Sequence, residues 1–139
     1  MLESLNQYKG MSLFFVRLAV GIVFLVHGVG KLFNVGPTAM GISGFAGFLT
    51  SLGVPAASVA AVLVALVETV GGLLILIGLW TRVAALLLAV NMVVAILLVH
   101  ISKGFSAAGG GYEFALVLFL SSVALVLGGA GEKWAVDKD

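Results

Sequence analysis

Apolar residues in this chain come in long stretches, and polar residues punctuate them at wide intervals. A helix that crosses a bilayer needs about 20 apolar residues, because each adds about 1.5 Å and the hydrocarbon core is about 30 Å thick. Four stretches meet that length: Leu13–Phe33, Ala56–Leu79, Arg82–Ile101 and Tyr112–Gly129. The first lacks a small-residue cleavage site and is read as an uncleaved span. Leu79-Trp80-Thr81 is short enough only for a tight antiparallel hairpin, and Lys103–Gly111 is a glycine-rich loop. Asn34–Pro55 is uncharged and too long for a turn. Within it Phe45, Phe48, Leu49 and Leu52 follow helical spacing, Pro37 can open a short helix, and Gly53 with Pro55 can close it. The pattern predicts an all-α integral membrane bundle of four transmembrane helices, with a short interfacial helix between the first two. Residues 1–139 read as one domain.

Composition narrows the class. The chain has 139 residues, of which 62% are hydrophobic and 9% charged, and its mean hydropathy is +1.27. Soluble domains carry about 25% charged residues, so a soluble monomer and a disordered chain are excluded. A net charge of +1 leaves no basic patch for nucleic acid. Cysteine is absent, which removes thiol–disulfide exchange and Cys-ligated zinc or iron–sulfur clusters from this chain. Any redox chemistry then needs a bound cofactor or a mobile carrier such as a quinone.

An even number of spans puts both termini on one side. That side holds Lys9, Arg17, Arg82, Lys133 and Lys138, and the other holds Lys31 and Lys103. The positive-inside rule places the richer side, with both termini, in the cytoplasm. Tyr8, Trp80 and Trp134 then fall near the cytoplasmic interface. Ala57, Ala61, Ala65 and Thr69 form a small-residue ladder suited to close helix packing.

The ionisable residues inside the spans are the candidate chemistry. Measured from the cytoplasmic ends at about 1.5 Å per residue, Glu68 lies roughly 16 Å deep, near the midplane. On the same scale His27 is at roughly 21 Å, Glu113 at roughly 24 Å, and Lys31 and His100 at roughly 27 Å. Arg17, His27 and Lys31 share an arc of about 80° on their helix. Ionisable groups on one stripe face the bundle, because facing lipid costs about 2.5–3.5 kcal/mol each. These positions predict one cavity in the outer half lined by His27, Lys31, Glu68, His100 and Glu113, with Arg17 and Arg82 near the inner boundary. A carboxylate at the depth of Glu68 must be protonated, paired or wet. A neutral acid is favoured, because Lys31 reaches the headgroups more cheaply than the midplane. Asn91 falls on the face opposite Arg82 and His100 and is read as interhelical glue. No phosphate loop, zinc-protease motif or nucleophile elbow occurs. Haem ligation by His27 and His100 is a minor alternative.

One ordered series ties these positions together. Arg17-Leu18 and Gly21 are followed by His27-Gly28-Val29-Gly30-Lys31-Leu32-Phe33, then Leu52-Gly53-Val54-Pro55 and Glu68-Thr69-Val70-Gly71-Gly72. Gly78-Leu79-Trp80-Thr81-Arg82, His100, Gly110-Gly111-Tyr112-Glu113, the glycines between 128 and 131, and Asp137 complete it. The series resembles the DoxX family of small bacterial and archaeal membrane proteins, from about Arg17 to Asp137. The family's tail usually reads Gly-x-Gly-x-x-Ser-Leu-Asp, and Ala135-Val136-Asp137 replaces its end here. The resemblance implies a four-helix membrane bundle and an oxidoreductase label. Members are associated with thiosulfate:quinone oxidoreductase, with quinol oxidase complexes, and with resistance to quinones, catechols or oxidative stress.

Three functions are then weighed. In a quinone-linked redox subunit, His27, Lys31 and His100 donate to the quinone oxygens and Glu68 or Glu113 relays protons. Glu68, His27 and Lys31 are the expected catalytic residues, and His100, Glu113, Arg17 and Arg82 the expected ligand-binding ones. The electron donor must be a membrane or soluble partner protein or a small reductant, and a homo-oligomer is left open. The alternatives are a non-enzymatic scaffold that stabilises a partner, and a small-molecule binding or transport protein.

Overall fold

The computed structural model describes residues 2–137; Lys138, counted above among the basic residues, lies outside them. Among the described residues all regular structure is helical. Five α-helices follow in order: α1 (Ser12–Phe33), α2 (Gly41–Ser51), α3 (Ala57–Ile77), α4 (Thr81–Ala95) and α5 (Glu113–Gly128). A 3-10 helix, Leu2–Met11, precedes α1 and buries nothing. α4 runs on through a π turn, Ile96–His100, and a 3-10 turn, Ile101–Lys103.

Among the described residues three helical stretches are long and apolar enough to cross a membrane: Leu2–Phe33, Ala57–Ile77 and Thr81–Lys103. α5 is apolar but shorter, at 16 residues. The protein is a multi-pass membrane protein. Its outer surface agrees with lipid contact: Leu63, Leu87, Val90, Leu97, Val117 and Leu120 all point away from the core.

α1 and α3 pack backbone to backbone. A Cβ on Gly72 would sit 2.6 Å from the Leu25 nitrogen, and one on Gly28 would collide with Thr69. Lipid is as apolar as leucine, so close approach between helices supplies the packing energy. Val20, Phe24, Ile75, Leu88 and Leu125 fill the core between α1, α3, α4 and α5. A second cluster joins Phe45 and Leu49 of α2 to Ala61 of α3, so part of the small-residue ladder seats α2.

The short helix opens later than Pro37 suggested. Pro37 lies in a turn in which Ala39 N–H donates to the Gly36 carbonyl, and Met40 N–H returns to the Gly30 carbonyl at the end of α1. Thr38 Oγ1 also donates to the Val26 carbonyl, so the connection folds back on α1 before α2 begins at Gly41. α2 closes as its glycine predicts. Gly53 has φ +75°, and the Gly53 and Val54 N–H groups donate to Thr50 and Leu49, the Schellman pattern.

The far end of the bundle is tied by the C-terminal tail. Val136 and Asp137 N–H groups donate to the Ile77 and Gly78 carbonyls at the end of α3. Asp137 Oδ2 accepts the Thr81 N–H, placing a carboxylate on the positive end of α4.

Candidate functional site

Glu68 lies halfway along α3 and is 4% exposed. Lys31, in the last turn of α1, reaches inward and places Nζ 2.5 Å from Glu68 Oε2. Asn91 of α4 donates from Nδ2 to Glu68 Oε1 at 3.0 Å. Both carboxylate oxygens therefore have donors, from two different helices. This corrects the reading of Glu68 as a neutral acid with Lys31 turned to the headgroups. Desolvating a lone carboxylate is costly, and a cation with a hydrogen-bond donor offsets that cost best when both are within reach. Lys31 Nζ also lies 5.0 Å from the Phe45 ring centroid, a cation–π contact made by α2.

The group borders a cavity of about 520 Å³. His27, Lys31, Glu68, Asn91 and His100 supply its polar lining, and Phe45, Phe48 and Leu49 of α2, with Leu52 just past its end, line the same space. His27 Nδ1 donates to the Val23 carbonyl at 2.8 Å. His100 Nδ1 donates to the Gly110 carbonyl in the 103–111 loop at 2.7 Å.

Asn91 bridges helices, as read from the sequence, but not on a face turned away from His100. Nine residues of ideal α-helix would put the two on opposite sides. The π turn at Ile96–His100 bonds i to i+5 and winds less per residue, so the helix beyond it is rotated. Both side chains then line one cavity.

Three expected site residues lie elsewhere. Arg17 is fully buried and donates to five carbonyls: Ile75 and Leu76 at the end of α3, and Ala130, Lys133 and Trp134 in the tail. Its planar fork of five N–H donors satisfies helix-end carbonyls that would otherwise be buried without partners. Arg82 donates to the Val126 and Leu127 carbonyls at the end of α5. A cation there complements the helix dipole. Glu113 accepts the Ala107 N–H at 2.9 Å, fixing the loop before α5. It stands beside the cavity without lining it. Ionisable type and depth are the same for ligand-facing and backbone-facing side chains, so the sequence pattern could not separate them.

Among the described residues no group of three or more His, Cys, Asp or Glu could hold a metal ion. What the cavity offers instead is hydrogen bonding beneath an apolar cover.

The DoxX family profile matches residues 12–101. The chain belongs to the DoxX family. A relative from Bacillus subtilis named "Putative oxidoreductase CatD" is 32% identical over 91% of this chain and 85% of its own length. An uncharacterised protein of Haemophilus influenzae is 34% identical, with 94% and 92% covered. An uncharacterised membrane protein of Mycobacterium tuberculosis is 36% identical, with 91% and 80% covered. No solved structure matches the chain. The DoxX match takes in Arg17 and its α3 partners and runs to His100, so it covers the cavity's polar side chains, while the tail carbonyls that Arg17 holds lie beyond it.

Proposed function

We propose that this DoxX protein is a quinone-linked oxidoreductase subunit of the cytoplasmic membrane, and that the cavity beside Glu68 takes a quinone headgroup. The observation that carries this reading is the cavity itself. It has about 520 Å³ of space, lined by an ion pair, an amide and two imidazoles and otherwise by aromatic and aliphatic side chains of all five α-helices. A flat apolar ring with two oxygens has this distribution of polarity. The relative named an oxidoreductase supports the redox class. Lys31 orients an oxygen of the ring, and Glu68 and Asn91 hold Lys31 in place. α2 keeps water from the site. Electrons come from a partner protein or a reductant, since the chain has no cysteine.

In this reading the chain crosses the membrane four times. α5 begins at the loop beside His100 and ends at the tail held by Arg17, so it covers the length of the bundle despite having 16 residues. Both termini are cytoplasmic, α2 lies at the outer face, and the exposed Trp80 and Trp134 sit at the inner interface.

The test is extraction and spectroscopy of quinones bound to the protein purified in lipid nanodiscs. Bound quinone above that in empty nanodiscs, lost in Lys31→Met, is the expected result. Folded wild-type protein without bound quinone, and unable to take it up, would overturn the reading. A register-fixing scaffold is the second reading, favoured by the full pairing of Glu68. It predicts that Lys31→Met loses a stable partner complex while quinone content is unchanged.

A further inference from the structure

The two histidines border the cavity in a fixed chemical sense. A backbone carbonyl can only accept a hydrogen bond. His27 Nδ1 meets the Val23 carbonyl and His100 Nδ1 meets the Gly110 carbonyl, so each Nδ1 carries the proton. In the neutral ring Nε2 is then a bare acceptor. Among the described residues neither Nε2 has a hydrogen-bond partner of its own, and both residues line the cavity.

Of the cavity's other polar groups, Glu68 is filled by Lys31 and Asn91. Lys31 keeps N–H groups beyond the one given to Glu68. The wall therefore presents two acceptors from histidine and a donor from lysine, beside the second N–H and the Oδ1 of Asn91. A carbonyl oxygen of an oxidised ring only accepts, so it can bond Lys31 but sets its lone pairs against those of the imidazoles. A phenolic hydroxyl donates and accepts, so it can satisfy either kind of group.

We propose that the cavity recognises the reduced, hydroxyl-bearing form of its aromatic ligand, with His27 Nε2 and His100 Nε2 accepting hydrogen bonds from ring hydroxyls. This rests on the quinone-site reading above and specifies the redox form that the resting protein holds. It reverses the donor role expected for the histidines from the sequence. To donate from Nε2, a neutral ring must change tautomer and give up its Nδ1 bond to Val23 or Gly110, leaving a bare nitrogen against a carbonyl oxygen.

The test titrates duroquinone and durohydroquinone, without oxygen, into nanodisc-held protein by calorimetry, with protein-free nanodiscs as the blank. The hydroquinone is expected to bind about tenfold tighter or more, from one or two hydrogen bonds that the quinone cannot make. In His27→Phe and His100→Phe variants that keep the wild-type circular dichroism spectrum, the preference is expected to fall toward onefold. Nitrogen-15 spectra of histidine-labelled protein read the tautomer directly, and a proton on Nδ1 of both rings, with Nε2 shifting on hydroquinone addition, is the supporting result. Equal or tighter binding of the quinone, a proton on Nε2, or a preference that survives in the folded variants overturns the inference and leaves the quinone site standing. Binding of neither compound above the blank overturns the site and the inference together.

Discussion

Glu68 has no free oxygen in this structure, because Lys31 takes one and Asn91 the other. Removing one member of a buried ion pair leaves an uncompensated charge, at a cost of about 3–5 kcal/mol. Glu68→Gln is therefore expected to lower unfolding stability in detergent by about that amount, measured by denaturant titration with Trp fluorescence. Glu68→Leu with Lys31→Met removes both charges and is expected to cost less than either single change. A stable Glu68→Gln would show that Lys31 is held by something other than the carboxylate. Arg17 allows a similar test of a different kind of bond. Hydrogen bonds to charged groups contribute about 1.5–3 kcal/mol each, and Arg17 makes five, to two stretches of chain. Arg17→Met is expected to release the tail, read as new proteolysis near Lys133, and to lower stability by at least about 3 kcal/mol. Arg17→Lys should not restore it, because an ammonium lacks the planar fork.

At the scale of elements, the π turn and α2 decide what meets in the cavity. A π turn is one residue more than an α-helix would use over the same length, and such turns recur at functional sites. Deleting Leu97 from Ile96–His100 is expected to restore α-helical winding. It is expected to leave His100 on the same face as Asn91, because eight α-helical residues turn through about the same angle as nine that include the π turn. Helical content by circular dichroism and ligand binding in the cavity should both be kept; lost binding would show that the deletion moves His100 out of register and that the π turn does not set its face. Gly72 tests the α1–α3 contact, since a Cβ there would lie 2.6 Å from the Leu25 nitrogen, with backbone on the far side. Gly72→Val is expected to separate the two helices, pull Lys31 from Glu68 and reduce the yield of folded protein. The same change at Gly47, which faces open space, should be tolerated, as expression level and gel-filtration profile would show.

For the whole molecule, orientation follows from charge. Among the described residues Lys9, Arg17, Arg82 and Lys133 lie toward one end, and Lys31 and Lys103 toward the other. With the richer end in the cytoplasm, a Cys placed at Ser106, in the exposed loop before α5, is expected to react with an impermeant maleimide added to intact cells. Reaction only after permeabilisation would invert the protein in the membrane and put the cavity in the inner half. The arrangement of Arg17 weakens the charge count physically, because its guanidinium is consumed by carbonyls inside the protein and does not face headgroups. Lys9, Arg82 and Lys133 still outnumber the other side.

Long apolar stretches determine helices wherever backbone polar groups have no water to bond, so the sequence alone was enough for the helical class and the ends of α1, α3 and α5 to within two residues. Depth also needs only a residue count, and it brought His27, Lys31, Glu68 and His100 to one region. Direction needs more. Whether Arg17 faces a ligand or the tail depends on Ala130–Trp134 returning across the end of α3, a contact separated by more than a hundred residues. Whether Glu68 is neutral or paired depends on how closely α1 approaches α3, which Gly28 and Gly72 permit and the tertiary packing enforces. Which face His100 shares with Asn91 depends on a π turn that no local pattern in Ile96–His100 announces. Each of these is a choice among partners that are chemically equivalent in the sequence, and only the folded arrangement determines which partner is near.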